Sequence, residues 1–103
     1  MCIVVLVTAP SVSCAKKISG FLLKKRLVAC VNIVNKLESF FWWQGKIDKA
    51  KEALLIIKTK KRLIKELIKA VKSKHPYSVP EIIALPIISG SKDYLDWIDE
   101  SCR

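Results

Sequence analysis

Hydrophobic residues follow two different spacings along this chain, and the alternation divides it into strands and helices. Residues 2–8, "CIVVLVT", form a continuous run rich in Val and Ile, which is typical of a strand covered on both faces. Between residues 11 and 26, and again between residues 60 and 74, apolar residues recur every three or four positions, which predicts two amphipathic helices. Residues 27–59 and 81–88 return to strand-type residues.

The middle of the chain predicts a long antiparallel ribbon of two or more strands. The segments "LVACVNIV", "FFWW" and "EALLIIKT" favour strands, "NKLES" is typical of a weak turn, and "QGKIDKAK" contains a glycine turn. Pro76 ends the second helix, and Pro86 marks the last strand as an edge strand or a bulge. The segment "SGSKDYLDWIDESC" predicts a short terminal helix, for which Ser91 can serve as the cap.

The predicted order of strand, helix, strand, strand, helix, strand and a further helix corresponds to a ferredoxin-like βαββαβ fold of the α+β class. A chain of 103 residues is long enough for one hydrophobic core, so residues 1–103 are expected to form a single domain. Right-handed crossovers place both main helices on the same face of the sheet. The strands are nevertheless apolar at successive positions, so the sequence predicts a homo-oligomer in which other copies cover the second face.

Four adjacent aromatic residues, "FFWW" at positions 40–43, lie on the predicted ribbon. Aromatic clusters of this kind are common in subunit interfaces, where alternate rings are buried on opposite faces of a strand. The alternative is that the rings stack on the bases of a single-stranded nucleic acid. We expect the interface, because the ribbon is too long for two short helices to cover.

The formal charge of +10, from 19 basic and 9 acidic residues, makes polyanions candidate partners. The lysines fall on predicted helix faces and turn edges, so solvated faces and no nucleic-acid partner are expected. No apolar stretch reaches the roughly 18 residues that a membrane span needs, so no membrane partner is expected. The first residues lack a basic leader and the four cysteines are scattered, which predicts a cytoplasmic protein.

Six ordered motifs carry a resemblance to a known family. They are "VTAPS", "LxxxRLxACVNI", "WxGxI", "LLIIKT", "HPYxVPEIIALPI" and "YLDWI", and together they extend from Val4 to Ile98. In these segments the chain resembles the CutA family of divalent-cation tolerance proteins. The resemblance implies a compact homotrimer of ferredoxin-like subunits, similar in architecture to the PII-type signalling proteins. It also implies a link to copper and other divalent metal ions.

The copper ligands that the resemblance implies are only partly present in this chain. In the copper-binding bacterial members that it resembles, the ligands are a cysteine directly before "TAP" and two consecutive histidines before "PY". The corresponding residues here are Val7, Lys74 and His75. Of the implied ligands, only His75 carries over.

Three residues of the chain are candidate ligands for a divalent metal ion such as copper: Cys30, His75 and Glu81. Thiolate, imidazole and carboxylate groups suit such ions, and the strand, helix end and strand start that carry them could meet at one edge of this fold. The structural alternatives are that Cys30 only fills space in the core and that His75 bonds a carbonyl at the helix end. A nucleophilic enzyme, with His75 as the base for Cys30 and Asn32 or Glu81 orienting the imidazole, lacks any sign of an oxyanion hole.

Together with the resemblance, the sequence therefore predicts a divalent, copper-type metal-ion binding protein linked to metal tolerance, which acts as a trimer with clefts between subunits and is not an enzyme. The alternative function is a PII-like trimeric scaffold that binds a small ligand or a protein partner without a metal. The three prolines of "HPYSVPEIIALPI" stiffen the connector. In a structural role they set the register of the last strand at the trimer contact, and in a functional role they hold His75, Tyr77 and Glu81 around a cleft between subunits.

Overall fold

The elements of the structure follow the order that the hydrophobic spacing predicts. The computed structural model describes all of residues 1–103. The chain forms β1 (Cys2–Ala9), α1 (Val12–Lys24), β2 (Cys30–Trp43), β3 (Lys46–Lys60), a 3-10 turn (Lys61–Leu63) that leads into α2 (Ile64–Lys74), β4 (Ile82–Pro86) and α3 (Lys92–Ser101). This order confirms the predicted α+β, ferredoxin-like βαββαβ fold with a terminal helix.

The four strands form one sheet in the order β2-β3-β1-β4. All neighbours are antiparallel, and Val5 of β1 lies opposite Ile57 of β3 on one side and Ala84 of β4 on the other. Strand β4 is an edge strand, in agreement with Pro86, because proline lacks the N–H that an inner strand needs. This strand is shorter than the predicted 81–88, since pairing with β1 ends at Pro86.

Two serines precede helices, and they behave differently. Ser11 caps α1, because its hydroxyl accepts a hydrogen bond from the Cys14 amide at 3.1 Å. Ser91 holds the cap position of α3, as predicted, but its side chain makes no capping hydrogen bond. The first turn of α3 nevertheless contains Asp93, whose negative charge is favourable at a helix start.

The hydrophobic core lies between one face of the sheet and helices α1 and α2. Val5 and Val7 of β1 and Leu55 and Ile57 of β3 point into it, and none of the four is exposed to solvent. The helices contribute fully buried side chains at Ile18, Leu22, Leu67 and Val71. Removing this apolar surface from water is the main stabilising contribution to the subunit, at roughly 25 cal/mol per Å².

Strands β2 and β3 form one long hairpin, and the prediction of a turn at "NKLES" is wrong. Strand β2 continues through that segment, and a bulge between Val34 and Leu37 absorbs the irregularity, with Lys36 at a φ of 60°. The chain reverses at Gln44 and Gly45, whose φ angles of 49° and 78° both lie in the left-handed region that a two-residue hairpin turn of type I′ requires. The predicted ribbon is therefore a single uninterrupted hairpin.

The second face of the sheet is apolar and has no layer of helices over most of its area. We call it the open sheet face, and its residues alternate along the strands with those of the core. They are Val4, Leu6, Val34, Leu54, Ile56, Ile83 and Leu85. Three of them are exposed in the single subunit, with 44% of Val34, 52% of Ile83 and 45% of Leu85 accessible to solvent.

Helix α3 covers only one end of the open sheet face. The Cys2 thiol lies 3.8 Å from the Leu95 carbonyl oxygen, and the Lys60 ammonium donates to the Asp99 carbonyl oxygen at 3.0 Å. Both contacts join α3 to the ends of β1 and β3. The rest of the face, together with the aromatic residues of the ribbon, of which Trp42 is 73% exposed, has no partner within the chain.

Candidate functional site

The single histidine of the chain is buried and has both ring nitrogens in hydrogen bonds. His75 follows the last residue of α2, and Pro76 prevents the helix from continuing. Its Nε2 lies 2.7 Å from the Thr8 carbonyl oxygen at the end of β1, and the Tyr77 amide donates to its Nδ1 at 3.1 Å. Because Nδ1 accepts, the proton of the neutral ring is on Nε2, which donates to Thr8.

Tyr77 continues this set of contacts towards the sheet. Its ring centroid lies 4.7 Å from that of His75, and its hydroxyl donates to Glu52 Oε2 at 2.9 Å. Glu52 is a buried carboxylate on β3, so the contacts join three segments of the chain. We call this set of residues, Thr8, Glu52, His75 and Tyr77, the histidine network. It confirms the prediction that the proline-rich connector holds Tyr77 beside His75.

Tyr77 stays protonated well above neutral pH. Burial and the hydrogen bond to the Glu52 carboxylate raise the pKa of Tyr77 from its ordinary value of 10.0 to about 12. The folded state therefore keeps the phenol proton at a pH where the unfolded chain loses it. The contribution of this group to stability is complete below about pH 10 and decreases as the pH rises from 10 towards 12.

Replacing the Glu52 carboxylate tests whether it raises the pKa of Tyr77. In a Tyr94→Phe background, where Tyr77 is the only tyrosine, we expect Glu52→Gln to lower the pKa of Tyr77. The value should stay above 10.0, because burial is the largest cause of the shift and remains in the variant. Phenolate absorbance during an alkaline titration measures it. The exposed Glu38→Gln is the control, and an unchanged midpoint in Glu52→Gln would contradict the assigned contact.

The second predicted site residue, Cys30, lies at the start of β2 in a separate cluster. Its thiol is 3.7 Å from Asn32 Oδ1, which also accepts a hydrogen bond from the Lys58 ammonium. Tyr94 of α3 is close by, and its pKa is raised first by burial and then by the neighbouring Cys30. Cys30 is therefore half-buried between the sheet and α3, on the face that the sequence predicts for it together with Asn32.

The three predicted ligands do not meet within one chain. Cys30 pairs with Lys58, which pairs with Val4, whereas His75 bonds Thr8. Strand geometry therefore separates the two sites by about 13 Å along the strands and about 10 Å across the sheet. No group of three His, Cys, Asp or Glu side chains in the chain is arranged to hold a metal ion.

Glu81, the third predicted ligand, is exposed directly before β4. Its neighbour Ile82 pairs with Val7, so Glu81 lies near the end of β1 that carries Thr8 and not near Cys30. The same separation breaks the Cys30 and His75 pair that a nucleophilic enzyme needs, since a general base must lie within hydrogen-bond reach of its nucleophile. The prediction that one chain brings the three groups to one edge is therefore wrong, because β3 lies between β2 and β1.

The positions that correspond to the other copper ligands of the resemblance have structural roles here. Val7 is fully buried in the core. Lys74 holds its ammonium 4.7 Å from the centre of the Phe21 ring, in a cation–π contact. A thiolate and an imidazole are therefore missing where the resemblance would place them.

Glu52 is the member of the histidine network that sequence reasoning missed. It is separated from Tyr77 by 25 residues, and no motif spacing connects them. The only signal is its place as the charged residue that begins the apolar run "EALLIIKT".

No helix of the structure is both long enough and apolar enough to cross a membrane.

Comparison with solved structures places this fold among close relatives. The structure of the divalent cation tolerance protein from Thermus thermophilus superposes with a TM-score of 0.98 at 47% identity, covering 100% of both chains. The structure of the periplasmic divalent cation tolerance protein CutA from Archaeoglobus fulgidus gives a TM-score of 0.95 at 46% identity over 98% of each chain. These values show that the two folds are the same as the one described above.

Sequence comparison agrees. The Thermus thermophilus divalent-cation tolerance protein CutA is 48% identical over 98 residues, which is 95% of each chain. The rice protein CutA 1, chloroplastic, is also 48% identical and matches 98% of this chain, which spans only 57% of the rice protein. The family model described as CutA1 divalent ion tolerance protein matches residues 3–101. With nearly its whole length matched, the chain belongs to the CutA1 divalent ion tolerance protein family.

Proposed function

We propose that this chain acts in divalent-cation tolerance as a homotrimer that binds divalent metal ions, with copper as the type ion, in clefts between subunits. Membership of the divalent ion tolerance family supports the metal role in general terms. Both the trimer and the copper ion are part of the proposal. We also propose a reducing compartment, the cytoplasm, for which the four free cysteines are the support.

The open sheet face is the observation that supports the proposed association into a trimer. Its half-buried and exposed aliphatic residues form a continuous apolar surface, and α3 covers only one end of it. Water penalises such a surface by roughly 25 cal/mol per Å², and a subunit cannot cover it with α1 and α2 because both are on the other face. Contact with further copies removes the penalty, and the exposed aromatic ribbon adds area to the same contact.

The proposed metal site needs groups from more than one copy. Cys30 and Glu81 lie too far apart in one chain to bind the same ion, but each reaches the surface at an end of the sheet. Clefts between copies can bring a Cys30 from one subunit towards a Glu81 from another. His75 joins such a site only if the metal displaces the Tyr77 amide from Nδ1, since its other nitrogen carries the proton.

A trimeric scaffold for a small ligand or a protein partner, without metal and without catalysis, is the second candidate. Both ring nitrogens of His75 are already in hydrogen bonds, which favours the scaffold, because an imidazole that binds a metal normally offers it one nitrogen. The separation of Cys30 from His75 also favours a protein that is not an enzyme.

Metal titration decides between the two candidates. We expect calorimetric titration of the metal-free protein, under nitrogen so that thiols stay reduced, to show binding of copper or zinc at micromolar concentration and none of magnesium. Cys30→Ser and Glu81→Gln should each weaken the affinity by about tenfold or more, because loss of a ligand should cost at least as much as loss of a group that only supports a ligand. His75→Ala should weaken it less.

Two variants with the same chemical change serve as controls. Cys102→Ser changes a thiol that is buried in the core, and Glu66→Gln on α2 removes an exposed carboxylate on the helical side opposite the open sheet face. Equal losses in the controls would point to non-specific binding. Absence of any binding at micromolar metal in the unmodified protein would contradict the metal role and leave the scaffold.

A further inference from the structure

All of the net positive charge of the protein lies on one layer of the fold. Residues 11–26 and 61–75, which contain α1 and α2, carry eleven Lys and Arg and one Glu, whereas the rest of the chain carries eight basic and eight acidic residues. The formal charge of +10 therefore comes from these two helical segments alone. We call their solvent-facing side the basic helical layer. Its cations are Lys16, Lys17, Lys24, Lys25, Arg26, Lys61, Arg62, Lys65, Lys69, Lys72 and Lys74.

No carboxylate within the chain balances this layer. All eleven side chains belong to exposed residues, and none of them takes part in a salt bridge. The single acidic residue of the layer, Glu66, is itself paired with Arg103 at 2.7 Å. Lys65, Lys69 and Lys72 recur at helical spacing along the outer side of α2, so like charges are neighbours there. Their mutual repulsion favours an external anion.

The two helices also bring their cations together at one place. The Lys25 ammonium lies 5.2 Å from the centre of the Phe21 ring, and the Lys74 ammonium lies 4.7 Å from the same centre. One residue follows α1 and the other ends α2, so the ring holds a cation from each helix end. Cation–π attraction to the ring offsets part of the repulsion between the ammonium groups. The basic helical layer is thus continuous from one helix to the other.

The composition of the layer selects among polyanions. Nine of its eleven cations are lysines, which bind phosphate as point charges, and only Arg26 and Arg62 offer a planar fork. Its one aromatic ring, Phe21, is occupied by the two ammonium groups and is not available for stacking on bases. Leu23 is its only large apolar side chain that is exposed, which is little to insert into a lipid surface. A partner that offers charge alone, without bases or acyl chains, fits best.

We propose that the basic helical layer is a docking surface for linear inorganic polyphosphate. A flexible chain of phosphates can follow the lysines of α2 and cross to α1 at Phe21. The layer is on the opposite side of the sheet from the open sheet face, so it stays accessible when copies associate. An assembly of several subunits offers several such layers, and a long polyphosphate chain that spans two of them gains affinity from the second contact.

Bound polyphosphate would also supply ligands for divalent cations. Such cations bind phosphate oxygens, whereas the chain itself arranges no group of three metal-binding side chains. This last step rests on the proposed role in divalent-cation tolerance, but the docking itself does not.

Binding to long-chain polyphosphate in metal-free buffer tests the docking separately from the metal role. We expect saturable binding by calorimetry at low salt, weaker binding of pyrophosphate, and a steep loss of affinity as sodium chloride is raised, because counterions are released. The triple variant Lys65→Gln, Lys69→Gln and Lys72→Gln should bind about tenfold more weakly or worse. Sedimentation of the same samples confirms that the variant keeps the fold and assembly of the unmodified protein.

A second triple variant separates the layer from total charge. Lys36→Gln, Lys46→Gln and Lys49→Gln on the ribbon remove the same three charges outside the layer and should leave the affinity within about twofold. Equal losses in both variants, or no binding at low salt, would overturn the proposal. So would tighter binding of a single-stranded oligonucleotide with the same number of phosphates, or of anionic phospholipid vesicles, because either would name a different occupant.

Discussion

A glutamate in place of Leu85 is expected to separate the assembled protein into single subunits. Leu85 lies on β4 within the open sheet face and is 45% exposed in the subunit, so the charge is tolerated there before association. In the assembly the carboxylate would be buried without a partner, which costs several kcal/mol per contact. The leucine contact, worth about 1.5 to 3 kcal/mol when fully buried, is lost as well. Sedimentation velocity across a dilution series measures the result.

The chain offers a closely matched control for this substitution. Leu23 on α1 is also 45% exposed but lies on the side of the helices that faces away from the sheet. Leu23→Glu therefore makes the same chemical change at the same exposure on the opposite surface, and it should leave the assembly intact. If Leu85→Glu remained assembled at the lowest concentration, the open sheet face would not be the contact between copies, and the proposed clefts would have no basis.

The sequence predicts the elements well where one physical rule decides them. The stripes of α1 and α2 follow the helical period, and β1 and β3 coincide with the continuous apolar runs that predict strands. A strand that helices cover on one face only normally alternates between apolar and polar residues. Because the runs of β1 and β3 do not alternate, they also predict that the open sheet face is apolar. Pro86 indicates an edge strand for a reason that needs no tertiary information, since proline lacks an N–H.

The turn predicted at "NKLES" shows where local composition fails. Its polar residues resemble a connector, but the partner strand β3 continues opposite them and supplies the ladder of hydrogen bonds. One residue in the left-handed region, Lys36, and a bulge are enough to absorb the mismatch. Pairing across the hairpin therefore overrides the local preference for a turn, which is a tertiary effect that residues 35–39 do not carry alone.

The candidate site could be predicted only by residue type and not by arrangement. Cys30, His75 and Glu81 have suitable chemistry, but their distance depends on the sheet order, in which β3 separates β2 from β1. That order is set by pairing along the whole hairpin. Likewise, the contact of Tyr77 with Glu52 joins the connector to β3, so it depends on the tertiary fold. The sequence therefore indicates which groups are available, and the fold decides which of them meet.

Replacing His75 with alanine is expected to be the most destabilising single change in the histidine network. The imidazole is buried and satisfies the Thr8 carbonyl and the Tyr77 amide, so its removal leaves a buried acceptor and a donor without partners and opens a cavity. Unpaired buried groups cost about 1 to 3 kcal/mol each, so we expect a loss of about 2 to 6 kcal/mol from the two groups, to which the cavity adds. Urea unfolding at fixed protein concentration measures it, since association also affects stability.

Tyr77→Phe separates the contribution of the His75 imidazole from that of the Tyr77 hydroxyl. This variant keeps the ring beside His75 and the amide bonded to Nδ1, and it removes only the hydroxyl that donates to Glu52. Its expected cost is lower, about 1.5 to 3 kcal/mol, the value for one hydrogen bond to a charged group. A cost below about 1 kcal/mol for His75→Ala would contradict the network.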